Sequence, residues 1–401
     1  MKRVLTTLMA VAMIALLAAP ALAQAPAKPA APAKAAPAAK PAAKPAEKPA
    51  AGGPVNIGAY LPMTGGVAAY GQMEWDGVKT ANEMMPKVLG RDVKLFLVDT
   101  KSDKIEAANA VDRLIKKDKV VAIVGEAISG NSMAGGPIGE KNEVPMITPT
   151  GTNPLVTQGK KYYFRACFID PFQGEVAAKL AVETLKAKSA AVIVDIAQDY
   201  CVGLANFFVK AFTKAGGKVV STTYIQTGDQ DFSAQLSAVQ AAKPDIIYAP
   251  NYYAEDALLA KQARDLGITA PILTGDGAQA PELIQIGGKA VEGMYFTGHF
   301  NVEAVTTKLG KDFVAFYKKK TGKDPDAFTA LGADAYFILM DAMQRAGTTK
   351  GSEVRQALAS TKNFQAISGN VNIGEDGNAV KSVVINQVKD GKFVYVTTVN
   401  P

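Results

Sequence analysis

From Val55 onward, short apolar runs alternate with longer amphipathic ones. VNIGAYL (55–61), VKLFLV (93–98), VVAIV (120–124) and VPMIT (144–148) read as strands. VVAIV is apolar without alternation, as expected of a strand covered on both faces. Between these runs lie the helical patterns YGQMEWDGVKTANEMM (70–85), SDKIEAANAVDRLIKKD (102–118) and the glycine-weakened SGNSMAGGPIGEKN (129–142). The second opens on a good N-cap and places its apolar residues 107, 108, 111, 114 and 115 on one face.

The rhythm then restarts. KKYYFRACF, AAVIVDI, KVVSTTYI, PDIIYAPN, APILTGD and EGMYFTGHF supply strands, separated by the helical stretches 170–187, 200–217, 231–243, 252–267 and 281–288. Repeated strand–helix units build parallel sheets with helices on both faces. Two such series predict an α/β protein of two doubly wound lobes. Beyond His299, two long helical stretches (303–321 and 326–346), a short one (351–360) and strand-like pieces to Val399 would return to complete both lobes. The chain would then cross between them more than once.

The residues before Val55 behave differently. Lys2 and Arg3, an apolar run from Leu5 to Leu17 and Ala21-Leu22-Ala23 predict a secretory leader over 1–23, cut before Gln24. Residues 24–53 are almost entirely Ala, Pro and Lys, have no hydrophobic period, and read as a disordered spacer. The chain carries a net charge of +7. The leader and spacer hold nearly all of it, so residues 54–401 are close to neutral, and the charge gives no argument for nucleic acid. Cys167 and Cys201 are the two cysteines. In an oxidising compartment they could pair, or be small buried hydrophobes.

Catalytic and metal-binding signatures are sparse. The chain has one histidine, His299, inside a strand-like segment, so a Ser-His-Asp or Cys-His arrangement is poorly served. No nucleophile elbow, H-E-x-x-H or phosphate loop occurs, and LPMTGGVAAYG is not G-x-G-x-x-G. The expectation is a protein without catalysis, cofactor or metal, with His299 structural.

In open α/β sheets, ligands bind at the carboxyl ends of strands. The residues placed there are Tyr70, Ser129, Thr150 and Thr152 from the first series, and Tyr200, Tyr252 and Asp276 from the second. The set suits a zwitterion. Hydroxyls and helix-start N–H groups can hold a carboxylate, an acid can balance an ammonium, and tyrosines can form walls. Plainer readings stand beside these: Ser129 as an N-cap, the threonines of TPTGT and Asp276 of TGDGA as turn residues, and the tyrosines as core. Thr148, one step earlier, belongs to the strand.

Taken in order, VNIGAYLPMTGGVAAYG, VVAIVGEAISGNS, VPMITPTGTNPLV, YYFRACFIDPFQG, VDIAQDYCVGLA, GDQDFSAQLSAVQAAKPDIIY and GTTKGSEVRQAL resemble the leucine/isoleucine/valine-binding proteins, the periplasmic receptors of branched-chain amino-acid ABC importers. The resemblance spans residues 54–401. It implies a type I periplasmic binding fold with a three-segment hinge near 166–169, 297–300 and 369–374. The first lobe would be 54–167 with 299–371, and the second 168–298 with 372–401. It also implies carboxylate-binding hydroxyls at Ser129 and Thr152, a backbone carbonyl for an ammonium at Thr150, an ammonium-binding acid at Asp276, and aromatic walls at Tyr70, Tyr200 and Tyr252. The implied protein is a periplasmic monomer that captures a small aliphatic amino acid and delivers it to a membrane permease. A sensor of the same fold, or a receptor for an amide, urea or an aromatic acid, remains an alternative. Some members carry a disulfide in the first lobe, but Ile128 stands where one of its cysteines would be. A Cys167–Cys201 bridge would sit beside the cleft, and whether the two pair stays open at this point.

Overall fold

Five parallel strands and one hairpin partner form the first sheet. The computed structural model describes residues 52–401. The predicted leader, and the spacer as far as residue 51, lie outside the described residues. Strands β1 (Val55–Leu61), β2 (Lys87–Val88), β3 (Arg91–Asp99), β4 (Ala122–Val124), β5 (Met146–Thr148) and β6 (Tyr163–Arg165) lie in the order β2-β3-β1-β4-β5-β6. Only the β2–β3 pair is antiparallel. Helices α1 (Ala68–Met84), α2 (Lys104–Lys116) and α3 (Ser129–Lys141) connect them. The α2 start is capped as its sequence suggests: the Asp103 carboxylate accepts from the N–H groups of Ile105 and Glu106 at 2.8 and 2.9 Å.

The second lobe begins with α4 (Asp170–Lys179) and continues through β7 (Ser189–Asp195), α5 (Asp199–Lys214), β8 (Lys218–Ile225), α6 (Ser233–Ala242), β9 (Ile246–Tyr248), α7 (Tyr253–Asp265), β10 (Ile272–Thr274), α8 (Pro281–Gly287) and β11 (Tyr295–Gly298). The chain then returns. Helices α9 (Lys308–Thr321), α10 (Ala327–Ala346) and α11 (Gly351–Ala359) precede a small antiparallel sheet of β12 (Phe364–Ala366), β13 (Gly369–Ile373) and β14 (Ala379–Val380). Helix α10 packs along α1, which assigns it to the first lobe. Finally β15 (Val383–Lys389) and β16 (Lys392–Val399) add an antiparallel hairpin to β11, giving the order β16-β15-β11-β10-β9-β7-β8.

The chain therefore passes between the sheets three times. The first two passages follow β6 and β11. The third comes later than expected, at residues 381–382 rather than 369–374. The β13–β14 turn is held to the first lobe, where the Arg165 N–H donates to the Gly377 carbonyl at 3.1 Å and the Thr157 hydroxyl to Asn378 at 2.9 Å. Lys381, on that passage, is buried and donates to the Ser368 hydroxyl, which donates in turn to Asp334 at 2.5 Å. Cys167 and Cys201 are both free buried thiols, so of the two readings left open they are small buried hydrophobes rather than a bridge.

The contact of α1 with α10 depends on two glycines. A Cβ at Gly77 would fall 2.0 Å from the Thr329 carbonyl oxygen, and one at Gly332 would fall 2.3 Å from that of Glu74. The opposing atoms are backbone and cannot rotate away. This contact matters for the site because α1 carries Tyr70 and α10 carries Phe328. Gly332→Ala should lower unfolding stability by about 2 kcal/mol, the usual cost of overpacking. Urea unfolding of the variant against the native chain measures it, and an unchanged midpoint would show that the helices can separate freely.

Candidate functional site

The carboxyl ends of both sheets face one another across an enclosed space. Its walls are Tyr70, Ala127, Ile128, Ser129, Thr150 and Phe328 from the first lobe, and Tyr200, Tyr252, Asp276 and Gly277 from the second. Six of the seven expected residues therefore meet there. About 260 Å³ between the walls is unfilled, but the centre of a water-sized sphere can occupy only about 10 Å³ of it. Entry of anything larger than water requires the walls to part.

On the second lobe the centre is Asp276. Its Oδ1 accepts from the Tyr200 hydroxyl at 2.9 Å and from Gln173 Nε2 at 2.8 Å, and its Oδ2 lies 3.0 Å from His299 Nε2. Gln173 also donates to the Thr297 hydroxyl at 2.9 Å. Three polar side chains thus surround this one buried carboxyl group and satisfy its oxygens. Tyr200 and Tyr252 stack at 5.6 Å, and the Gly277 N–H donates to the Tyr200 hydroxyl at 3.2 Å.

The first lobe contributes the opposite polarity. The start of α3 lines the cavity, and the position before its first turn is taken by Ile128, so Ser129 is not the cap. The Ser129 hydroxyl accepts from the Asn153 N–H at 3.2 Å, which leaves its own proton to donate. Thr152 does not line the cavity. Its hydroxyl is buried with no hydrogen-bond partner and faces Asp170, whose two oxygens are likewise unpartnered. Burial, and next the nearby Asp276 charge, push the Asp170 carboxyl well above the usual range. The Thr150 hydroxyl is committed elsewhere, donating to buried Glu74 at 2.5 Å, so only the backbone of this residue is left for the expected contact.

The turn that presents these threonines is fixed from below. Arg165, fully buried, donates to the carbonyls of Gly151 and Asn153 at 2.6 and 3.0 Å. The Thr148 hydroxyl accepts from the Gly151 N–H at 2.8 Å and donates to the Glu126 carbonyl at 2.5 Å. Glu126 in turn receives Thr100, the Ile128 N–H and Asn131, at 2.6, 2.6 and 3.1 Å.

Several contacts cross the cleft. Tyr70 donates to the Gly277 carbonyl, stacks on Phe328 at 4.3 Å, and meets the edges of Tyr252 and Tyr253 at 5.7 and 5.1 Å. At the rim, Lys104 pairs with Asp199 at 2.7 Å, and Asn153 donates to the Asp199 carbonyl at 2.9 Å.

Sequence reasoning missed Gln173, Arg165, Phe328 and His299. Gln173 and Phe328 sit in ordinary helical patterns with no local mark. His299 had a mark, as the sole histidine of the chain directly after a strand that reaches the cleft, but its partner lies 23 residues away.

Comparison with known proteins extends this picture. Residues 54–392 match the family described as periplasmic binding protein. The chain is 32% identical over 346 residues to Leu/Ile/Val-binding protein homolog 3 of Brucella melitensis, covering 85% of this chain and 93% of that one. A leucine-binding protein of Thermotoga maritima superposes with a TM-score of 0.85 at 52% identity, covering 86% of this chain and 99% of that one. A branched-chain amino-acid transporter substrate-binding protein of Streptococcus pneumoniae, in complex with isoleucine, superposes with a TM-score of 0.82 at 31% identity, covering 87% and 100%.

The acid beneath α3 gives a pH signature. Burial, only partly offset by its donors Thr100, the Ile128 N–H and Asn131, raises the Glu126 carboxyl from 4.5 to about 7. The folded state therefore holds this proton more tightly than the unfolded one. The resulting stability is complete below the unfolded value of 4.5 and is lost as pH rises through about 7. Denaturant unfolding from about pH 5 to about pH 8 should show a decline, on the order of 3 kcal/mol of it from this group. Glu126→Gln should flatten the decline, and an equal slope in both proteins would contradict the assignment.

Proposed function

The chain belongs to the periplasmic binding protein family, in its Leu/Ile/Val-binding branch, and from that premise we propose that it is the solute receptor of an ABC importer for a small aliphatic amino acid. The observation that carries this reading is the polarity of the cavity. A three-donor carboxylate from one lobe faces a helix start and a free hydroxyl from the other. An α-amino acid has the matching charges at matching ends. An enclosed ammonium without an anionic partner would lose several kcal/mol to desolvation, and Asp276 supplies that partner.

In this reading the ligand carboxylate takes the Ser129 hydroxyl and the N–H groups of α3, where the helix end contributes roughly 0.3–2 kcal/mol. The ammonium takes Asp276 and the Thr150 carbonyl. Tyr70, Tyr200, Tyr252 and Phe328 form the walls around the side chain. Binding draws the lobes together about the three passages, because each lobe holds one end of the ligand. The receptor acts as a monomer in the periplasm, exported by its leader, and presents the closed form to a membrane permease. Among the described residues no helix is long and apolar enough to cross a membrane.

A thermal-shift screen against amino acids, amides and aromatic acids tests the ligand class, since a molecule bound only by the folded state raises the melting temperature. Branched-chain amino acids should give the largest shifts, and Asp276→Ala should weaken L-leucine binding by roughly tenfold or more in calorimetry. Strong shifts from aromatic acids alone, with Asp276→Ala indifferent, would overturn the reading.

A further inference from the structure

His299 lies on the second passage between the lobes, between the ligand site and a second cavity. Its Nε2 is 3.0 Å from Asp276 Oδ2 in the ligand site, and both side chains are almost fully buried. The same residue lines a second cavity, of about 440 Å³ and partly open to solvent, with Asn301, Ser368, Ser382 and Tyr395. Nδ1 is buried and makes no hydrogen bond. An imidazole nitrogen beside a carboxylate carries the proton, so the neutral ring donates through Nε2 and leaves Nδ1 bare. The ring is further fixed by Phe168, whose centroid lies 3.9 Å away.

We infer that His299 is a positioning residue for ligand recognition: its neutral Nε2–H holds the Asp276 carboxylate toward the ammonium, and protonation at Nδ1 turns it into a cation that competes with the ligand for that carboxylate. This inference rests on the amino-acid reading above. It assigns a role to the hinge passage itself.

The surrounding charges fix the direction of the effect. Burial lowers the His299 ring from its ordinary 6.5, the Asp276 contact opposes that, and the buried Lys381 ammonium on the third passage adds to it. Asp170 lies close enough to Asp276 to feel its charge, and the Tyr200 hydroxyl donates to Oδ1, the Asp276 oxygen not in contact with His299. The ring is therefore neutral at neutral pH and charges only in acid. Affinity should be level above the ordinary imidazole range and fall below it, with ligand binding releasing a proton there. Glu126 and Glu74 in the first lobe also titrate upward of their usual range, so a variant at position 299 is needed to separate them.

The test is calorimetric titration of the full chain with L-leucine at about pH 7.5 and about pH 5, repeated in buffers of different ionisation enthalpy to count protons. The native protein should weaken by roughly fivefold or more at the acid pH and release a proton on binding. His299→Gln keeps a donor that cannot be charged, and should bind within about threefold of native at neutral pH while losing most of the acid weakening. His299→Phe removes the donor and should weaken binding at neutral pH by roughly tenfold or more. Should His299→Phe fail to fold, the pH profile of His299→Gln decides alone. A native protein that binds L-leucine with the same pH profile and proton count as His299→Gln overturns the positioning role and leaves the receptor reading intact. A native protein that binds no L-leucine overturns both.

Discussion

A carboxylate shut away from water must be solvated by the protein, and Asp276 is where this molecule meets that demand. Tyr200, Gln173 and His299 all approach it from the second lobe or from the passage leading out of that lobe. Its solvation is therefore complete without help from the first lobe. The negative half of the site is built in advance, and closure only has to bring the positive half to it. A carboxylate dependent on donors across the cleft would be left exposed or unpaired at every opening, at a cost of several kcal/mol.

The first lobe shows the complementary economy. Its contributions to the cavity are neutral: a hydroxyl, helix-start N–H groups and aromatic faces. The acids close behind them, Glu74 and Glu126, are buried and held toward their protonated forms. A charged acid at either place would oppose a bound carboxylate. Arg165, the one buried cation nearby, is committed to the carbonyls of residues 151 and 153, so it shapes the threonine turn without facing the ligand. Local charge is thus suppressed on this side so that weak dipoles can act.

How much of this could be read from the chain follows from what each feature depends on. The alternation of apolar runs gave both sheets, because strands buried on two faces announce themselves locally. The rule that ligands sit at strand ends picked out seven residues, and six of them, Tyr70 to Asp276, line the cavity, without any knowledge of packing. Thr152 was the exception: its turn was right, but the exact aim of a hydroxyl depends on Arg165 beneath it. Gln173 and Phe328 were not legible, since each reaches the cavity only through the docking of a helix. The third passage was misplaced because the hold of Arg165 and Thr157 on the β13–β14 turn is a contact between residues more than 200 positions apart. The fate of the two cysteines was equally a matter of tertiary geometry.

The rim pair of Lys104 and Asp199 carries one more implication. Both side chains are substantially exposed, one on each lobe, and they stand 2.7 Å apart across the seam. As a surface ion pair it adds little to stability. Its value is as a gauge. The occupant of the cavity is sealed inside, yet the spacing of two groups on the outside reports whether the seam is shut. Anything that touches the molecule only from without, whether a neighbouring protein or a pair of dyes, could read occupancy as a length.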